Sequence, residues 1–240
     1  MTRWAMVTGA SGDIGAVVAR RLADDGYDLV LHSFRRPEVA HSLADAAREA
    51  GRQALAFQAN FAVPGATERL ADDVQAATGG LDVLVAAAAS GVMRPVAQLT
   101  ERHWMWTLAI NTHPLGVLTT RLHPRATVAL TSAGSSRAVP GYAAVGASKA
   151  ALESLVRYLA VELAPAGRVN ALSVGFVESR AARLLPDAAA LLADARARTP
   201  LGRLVTPDDV AATVAWLVSE QAAMLTGATV VLDGGRTLLL

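Results

Sequence analysis

The stretch from Trp4 to Gly15 reads WAMVTGASGDIG, in which a short apolar run leads directly into a loop with three glycines. After this loop, Val17, Val18 and Leu22 place apolar side chains on the inward face of a helix. Glycine lets the backbone turn tightly, and the free amides at a helix N-terminus donate hydrogen bonds to an anion. The stretch therefore predicts a strand, a tight turn and a helix that receives a phosphate group, although an ordinary strand-to-helix turn also uses glycine.

The same alternation of short apolar runs and longer helical patterns continues along all 240 residues. It is typical of βαβ units around a parallel sheet. Strands are predicted at Trp4 to Thr8, Leu29 to Ser33, Ala54 to Asn60, Leu81 to Ala88, Thr127 to Ser132, Val169 to Val174 and Thr229 to Asp233. Helices are predicted at Asp13 to Asp25, Pro37 to Ala50, Gly65 to Thr78, Thr100 to Arg121, Tyr142 to Ala164 and Pro207 to Ser219. We therefore expect an α/β protein with one Rossmann-fold domain over residues 1–240, a doubly wound seven-stranded parallel sheet with helices on both faces.

In such a fold the first glycine-rich turn binds the pyrophosphate of a nicotinamide dinucleotide. The loop residues predicted to contact it are Gly9, Ser11, Gly12, Asp13, Ile14 and Gly15. An acid at the end of strand two would bind the ribose 2′-hydroxyl, whereas arginine accommodates a 2′-phosphate. Here Arg35 and Arg36 follow the strand with no acid, which predicts NADPH, with a solvent-exposed basic turn as the alternative. Asn60 and Phe61, at the end of strand three, are predicted to meet the adenine unless Phe61 belongs to the core.

The overall composition argues against several partners. The formal net charge is +1 and the basic residues are scattered, so neither nucleic acid nor an anionic membrane is expected. No run approaches the roughly 18 apolar residues of a membrane span, and the N-terminus lacks a signal-peptide pattern, so we expect a cytoplasmic protein. Cysteine is absent and the histidines lack metal-ligand spacing, so no metal site is expected.

Lys149 is the only lysine among the 22 basic residues. Tyr142 precedes it by seven residues at the start of a predicted helix, which places the two side chains nearly on one face, about two turns apart. Tyr27 lies before strand two, and Tyr158 faces roughly the opposite side of the helix from Lys149. Tyr142 and Lys149 are therefore the pair that can reach one ligand.

The chain resembles a short-chain dehydrogenase/reductase over essentially its full length. The superfamily's common Y-x-x-x-K pattern fails, because Val145 stands four residues before Lys149. The seven-residue spacing of Tyr142 and Lys149 is instead similar to the Y-x6-K of enoyl-acyl-carrier-protein reductases. Further strings resemble the type III branch of those enzymes: Ala89 to Val96 (ASGVMRPV), His103 to Trp106 (HWMW), Tyr158 to Leu163 (YLAVEL) and Asp233 to Arg236 (DGGR).

The resemblance implies hydride transfer from NADPH to an α,β-unsaturated thioester of fatty-acid or polyketide type, carried by acyl carrier protein or coenzyme A. Tyr142 would then hydrogen-bond the developing enolate oxygen, while Lys149 would bind the nicotinamide ribose and favour ionisation of the phenol. Ser132 and Asn111 match the superfamily's supporting serine and asparagine. The alternatives are a strand-end cap for Ser132 and a local helix hydrogen bond for Asn111. The resemblance also implies cofactor contacts by Gly175 and Val177.

Residues 178–200 interrupt the alternation with an Ala/Leu/Arg-rich stretch between strands six and seven. In such folds this position lies beside the ligand crevice, which predicts a substrate-covering lid, with an ordinary surface helix pair as the alternative. The resemblance also implies a homodimer or homotetramer.

The chain departs from the superfamily pattern at three places, of which two bear on function and the third on subunit assembly. Asp13 stands at the second glycine position of T-G-x-x-x-G-x-G. After strand four, Ala86 to Ala89 replaces the usual N-N-A-G. Only Leu122 to Ala126 separates the helix after Asn111 from strand five, which is shorter than the usual connection. The first two departures favour a degenerate, non-catalytic member. Retention of Tyr142 and Lys149 favours catalysis, either on an enoyl thioester or, as the alternative, on the ketone of a natural-product or lipid intermediate.

Overall fold

The structure, a computed structural model, describes residues 3–178 and 188–239. Within these residues seven strands form one sheet: β1 Trp4–Thr8, β2 Asp28–Ser33, β3 Ala54–Gln58, β4 Val83–Ala86, β5 Ala126–Ser132, β6 Arg168–Val174 and β7 Thr229–Leu232. The α-helices in the same ranges are α1 Asp13–Asp24, α2 Pro37–Glu49, α3 Ala66–Thr78, α4 Glu101–Asn111, α5 His113–Leu122, α6 Ala143–Glu162, α7 Ala188–Ala197 and α8 Pro207–Val218.

The chain begins in the middle of the sheet. The strand order is β3-β2-β1-β4-β5-β6-β7, and every pairing is parallel. After β1 the chain moves outward to β3 and then crosses back to β4 on the other side of β1. The loops after β1 and β4 therefore diverge, which opens a crevice at the carboxyl ends of these two strands. The predicted doubly wound Rossmann fold is confirmed.

The alternation of β1 shows how one strand serves two buried layers. Ala5 and Val7 face a cluster formed with apolar side chains of α1, α2 and α8. Met6, on the other face, packs with side chains of α3 and α5, and a further cluster joins α5 and α6 to β5 and β6. Because both faces are covered, the strands are nearly continuous apolar runs, and each large buried side chain contributes roughly 1.5–3 kcal/mol.

The single helix predicted from Thr100 to Arg121 is wrong, because the structure has two helices there. α4 ends at Asn111, and α5 begins at His113 with Pro114 in its first turn. Proline has no backbone N–H and its ring clashes with the carbonyl four residues earlier, which kinks or breaks a helix, and here the helix is broken. Thr112 joins the two helices with a φ of −119°. This break places Asn111 at a helix end beside the crevice.

Strands three and four are shorter than predicted. The predictions ran to Asn60 and from Leu81 to Ala88, but β3 ends at Gln58 and β4 covers Val83–Ala86. The residues after each strand leave the sheet and line the crevice instead.

The predicted lid falls partly outside the described residues, since 179–187 are not among them. The rest of it includes α7, whose Ala195 carbonyl accepts a hydrogen bond from Arg236 Nη1 at 2.7 Å. Its role as a lid stays a prediction. In the described ranges, no helix is both long and apolar enough to cross a bilayer.

Candidate active site

The glycine-rich loop after β1 is packed too tightly to accept side chains. Gly9 has a φ of +68°, and a Cβ there would lie 2.8 Å from Ala88 Cα. A Cβ on Gly15 would overlap the carbonyl oxygen of Gly9. Gly12 is the N-cap of α1 and gives no side-chain cap to the amides of the first turn. The local sequence thus brings a helix N-terminus, with its partial positive charge, to the crevice.

A cleft of about 520 Å³ opens beside this loop. The predicted cofactor contacts that line it are Gly9, Ser11, Gly12, Arg35, Arg36, Asn60 and Phe61. Arg36 donates a hydrogen bond to the carbonyl of Ser11, so the basic turn after β2 is held against the glycine loop. Asp13, Ile14 and Gly15 form the first turn of α1 and do not belong to this lining, so their contacts with a cofactor stay predictions.

His32 connects the glycine loop to the end of β3. It is 2% exposed; its Nδ1 accepts a hydrogen bond from the Gly9 N–H at 3.3 Å, and its Nε2 donates to the Ala59 carbonyl at 3.0 Å. The ring stacks on Phe61 with centroids 4.2 Å apart. Burial lowers the pKa of His32 to about 4, so the ring is neutral at neutral pH. The sequence pattern contains no sign that this histidine lines the cleft.

The hydroxyl groups of Tyr142 and Ser132 meet at the other side of the crevice. Ser132 ends β5, Tyr142 is the N-cap of α6, and their oxygens lie 3.4 Å apart with either able to donate. Gly134 makes this approach possible, because a Cβ there would lie 2.6 Å from the Tyr142 ring. The two hydroxyls thus converge on a point where one carbonyl oxygen could accept a hydrogen bond from each.

Val145 occupies the position of the superfamily's common tyrosine. It is 6% exposed and packs against Gly91, where any Cβ would overlap its Cγ2. Its side chain cannot donate a proton or a hydrogen bond. The hydroxyl that reaches Ser132 is that of Tyr142, one helical turn earlier.

Lys149 is held under the end of β5. It is 5% exposed, and its Nζ donates a hydrogen bond to the Leu130 carbonyl at 2.8 Å. Leu130 lies two residues before Ser132, so the strand fixes the ammonium group and the serine hydroxyl together. Burial lowers the pKa of Lys149 to about 8, and the charge of Glu153 opposes this shift. The side chain is therefore mostly protonated at neutral pH.

Asn111 bridges two elements of the site. Its Oδ1 accepts a hydrogen bond from the Ser90 N–H at 2.8 Å, and its Nδ2 donates to Ser148 Oγ at 2.9 Å. These partners lie in the loop after β4 and in α6, next to Lys149. Asn111 therefore connects distant segments and does not make the local helix bond that was the alternative.

The alanine run after β4 is anchored without the asparagines usual in the superfamily. Thr8 Oγ1 accepts hydrogen bonds from the N–H groups of Ala87 and Ala88, both at 3.1 Å. Together with the bond between Asn111 and Ser90, they fix the wall of the cleft that adjoins the glycine loop. The loss of the asparagine side chains is thus compatible with an ordered crevice.

Gly175 and Val177 follow β6 on the far side of the crevice. Gly175 donates from its N–H to the Leu232 carbonyl at 2.8 Å, and a Cβ there would lie 2.7 Å from Asp233 Cα. Val177 forms an isolated parallel bridge with Val205. Packing against the end of β7 explains this glycine, and the cofactor contacts of both residues stay predictions.

A second cleft, of about 370 Å³, has Tyr142 among its lining residues. Its other walls include Val96, Val139 and Pro140, together with Arg94. Arg94 is exposed and forms no ion pair within the described residues. The lining of the cleft thus combines apolar side chains and a positive charge with Tyr142.

Comparison with known proteins finds a matching family model, curated relatives and solved structures, among them reductases and dehydrogenases. A family model described as enoyl-(acyl carrier protein) reductase matches residues 9–237. The chain is similar to the 1-cyclohexenylcarbonyl-CoA reductase of Streptomyces collinus, 34% identical over 98% of this chain and 86% of that protein. It is 32% identical to the 3-oxoacyl-[acyl-carrier-protein] reductase of Staphylococcus aureus, over 98% of both chains. A short-chain dehydrogenase from Burkholderia cenocepacia, solved in complex with NADP, superposes with a TM-score of 0.88 at 31% identity, over 98% of both chains.

Proposed function

The chain belongs to the short-chain dehydrogenase/reductase superfamily and is an oxidoreductase, and from this premise we propose that it uses NADPH to reduce the double bond of an enoyl thioester. The observation that carries the proposal is the approach of the Tyr142 and Ser132 hydroxyls to 3.4 Å, with Lys149 seven residues after the tyrosine. Val145, buried at the usual tyrosine position, leaves this role to Tyr142.

The residues around the first cleft fit a phosphorylated dinucleotide. The glycine loop is free of side chains at positions where a Cβ would collide with neighbouring backbone, so a pyrophosphate could approach the loop closely. The first turn of α1 supplies backbone N–H donors for this group. Arg35 and Arg36 would hold the 2′-phosphate, Asn60 and Phe61 would meet the adenine, and Lys149 would bind the nicotinamide ribose. When bound, NADPH supplies a hydride to the β-carbon of the substrate and is oxidised to NADP⁺.

The protein side chains act on the charge that develops during this transfer. The Tyr142 hydroxyl donates a hydrogen bond to the thioester oxygen, and this bond strengthens as the oxygen becomes enolate-like. The Lys149 ammonium stabilises negative charge on the phenol oxygen through its field. Ser132 orients Tyr142 and provides a second donor at the same point. A proton from solvent water then bonds to the α-carbon, so that hydride and proton together give a saturated thioester.

The reduced bond is inferred from the tyrosine spacing and from one relative. The seven-residue separation of Tyr142 and Lys149 resembles that of enoyl reductases. The name of the Streptomyces collinus relative describes an α,β-unsaturated thioester as its substrate. The second cleft gives such a substrate an apolar wall for the acyl group, and Arg94 suits the phosphate groups of a coenzyme A or carrier-protein arm.

A ketone is the second candidate substrate. Two hydroxyl donors that converge on one oxygen also suit the carbonyl of a 3-oxoacyl group, and the Staphylococcus aureus relative is named for that reaction. In this case Tyr142 would donate its proton to the oxygen that becomes the alcohol.

One experiment separates these functions. NADPH absorbance is followed with crotonyl and acetoacetyl thioesters under matched conditions, and NADPH binding is measured by calorimetry in the absence of substrate. We expect oxidation of NADPH with the crotonyl thioester and formation of the butyryl product. Oxidation with the acetoacetyl thioester alone would overturn enoyl reduction in favour of ketone reduction. An absence of NADPH binding would overturn both and leave the non-catalytic alternative.

A further inference from the structure

Glu153 is an acidic residue on the active-site helix to which the proposed reaction gives no role. It follows Lys149 by four residues on α6, which puts both side chains on the same face of the helix. Its Oε1 accepts a hydrogen bond of 2.7 Å from Thr131 Oγ1. Thr131 is 4% exposed in the middle of the sheet, so the carboxylate is attached to a rigid element.

Two consecutive residues of β5 hold the two opposite charges. The Leu130 carbonyl accepts from the Lys149 ammonium at 2.8 Å, and the Thr131 hydroxyl donates to the Glu153 carboxylate. Side chains of successive strand residues point to opposite faces of the sheet. The Leu130 carbonyl and the Thr131 side chain can nevertheless both form hydrogen bonds with α6. The strand thereby fixes the relative positions of cation and anion without direct contact between them.

The strand that holds Lys149 carries no charge of its own. β5 and the one-turn segment Ala133–Ser135, both packed against α6, carry no ionisable side chain. The other ionisable groups on α6, at its start, and on the helices and strand packed against it are Tyr142, Arg157, Tyr158, Glu162, Glu101, Arg102, His103, His113, Arg121 and Arg168. Among the described groups, Glu153 is the one whose charge raises the pKa of Lys149 against the effect of burial.

We propose that Glu153, anchored by Thr131, is a positioning residue that keeps the buried Lys149 ammonium protonated and seated on the Leu130 carbonyl. The catalytic meaning of this arrangement rests on the proposed function, because a neutral Lys149 could not stabilise a phenolate at Tyr142. The charge arrangement itself does not depend on any substrate. A buried ammonium loses its proton at lower pH when its counter-charge is removed.

The single lysine of this chain allows a direct test. Protein labelled with ¹³C- and ¹⁵N-lysine gives one side-chain signal, that of Lys149, and its chemical shift reports protonation as pH is raised. In the full-length protein without ligands, we expect Glu153→Gln to lower the pKa of Lys149 by about half a unit or more. Thr131→Val, which keeps the carboxylate but removes its anchor, should lower the pKa in the same direction by less. In Glu153→Asp the pKa of Lys149 should lie between its values in Glu153→Gln and in the wild type.

Glu162→Gln is the matched control, since Glu162 lies on the same helix but is exposed at its C-terminal end. A purely structural role of Glu153 would change thermal stability and leave the Lys149 titration where it is in the wild type. That result, or an equal shift in Glu162→Gln, would overturn the proposal. If Glu153→Gln does not fold, Thr131→Val decides by the same readout.

Kinetics provide a second readout that depends on the proposed function. With the active thioester, the alkaline limb of the kcat profile should move to lower pH in Glu153→Gln, by the same shift as the lysine signal, with little change in the KM for NADPH. A shifted lysine signal without any NADPH-dependent turnover in the wild type would contradict the proposed function and leave the charge arrangement supported. If the wild type is active and the Lys149 signal of Glu153→Gln titrates as in the wild type, the role of Glu153 is contradicted and the proposed function stays supported.

Discussion

Replacement of Lys149 by methionine should make the protein more stable while it removes turnover. Burial lowers the pKa of this lysine from 10.5 to about 8. At neutral pH the lysine is protonated in both states, but the folded protein binds this proton less tightly than the unfolded chain does. At about 1.4 kcal/mol per pKa unit, this difference destabilises the folded protein by about 3 kcal/mol. Methionine fills nearly the same volume without a charge. Loss of the hydrogen bond to the Leu130 carbonyl offsets about 1 kcal/mol, which leaves a net gain of about 2 kcal/mol.

The pH dependence isolates the charge from the other effects of the substitution. A lysine whose pKa is lower in the folded state destabilises the protein fully below that pKa, and this effect disappears as pH rises towards the pKa of the unfolded chain. The wild type should therefore gain stability relative to Lys149→Met as the solution becomes alkaline. From the pKa of about 8, the gap between the two proteins should shrink by about 2 kcal/mol between roughly pH 7 and pH 9.5.

Urea unfolding of the ligand-free proteins at both pH values measures this gap. Ionisation of tyrosine and arginine side chains occurs in both proteins and cancels in the difference. A gap that stays constant between the two pH values would refute the assignment of a buried, charged lysine. If Lys149→Met is less stable than the wild type at neutral pH, and the difference in unfolding free energy does not change at alkaline pH, packing and not charge dominates at this position.

Three further substitutions test the site. Tyr142→Phe should lower kcat by at least about 100-fold with nearly unchanged NADPH affinity in calorimetry, whereas Tyr158→Phe, at an exposed position on the same helix, should stay active; an active Tyr142→Phe enzyme would refute the assigned role. Arg36→Gln should raise the KM for NADPH by about tenfold or more and leave that for NADH unchanged, unlike the exposed control Arg125→Gln; equal effects on both cofactors would contradict the 2′-phosphate contact. Gly134→Ala should lower kcat without unfolding the protein, as judged by circular dichroism, because the new methyl group displaces the Tyr142 ring; wild-type kcat would show that the ring position does not matter.

The sequence was sufficient for features that depend on neighbouring residues. The apolar run before Gly9 and the glycines after it predicted the first strand, the tight turn and the helix N-terminus, all of which are confirmed. The break between α4 and α5 also had a local signal, since Pro114 lies inside the predicted helix. That prediction failed at Pro114, which lacks the backbone N–H that a continuous helix uses at this position.

Features that depend on distant partners could not be predicted in the same way. The partner of the His32 ring, the Ala59 carbonyl, lies 27 residues away, and no spacing rule connects them. The bond between Thr131 and Glu153 spans 22 residues and depends on the register between β5 and α6. Sequence patterns identify which residue types are present, whereas burial and pairing decide which of them carry a charge.

Under the proposed function, Tyr142 shows how far the position of a catalytic tyrosine can move within one fold. Moving a residue three positions towards the N-terminus turns it by about 300°, which is close to one full turn, so Tyr142 stays near the face that Val145 occupies. The move also takes the tyrosine off the rigid helix, since Tyr142 is the N-cap residue with a φ of −102° and a ψ of 9°. Its position is therefore set by the loop from Ala133 to Gly141 and by contact of its ring with Gly134. Because the same loop lines the second cleft, a substrate bound there contacts the segment that positions the tyrosine hydroxyl. In an enzyme with tyrosine at position 145 the helix would set this geometry, whereas under the proposed function the loop sequence here would contribute to both substrate binding and the alignment of Tyr142 with Ser132.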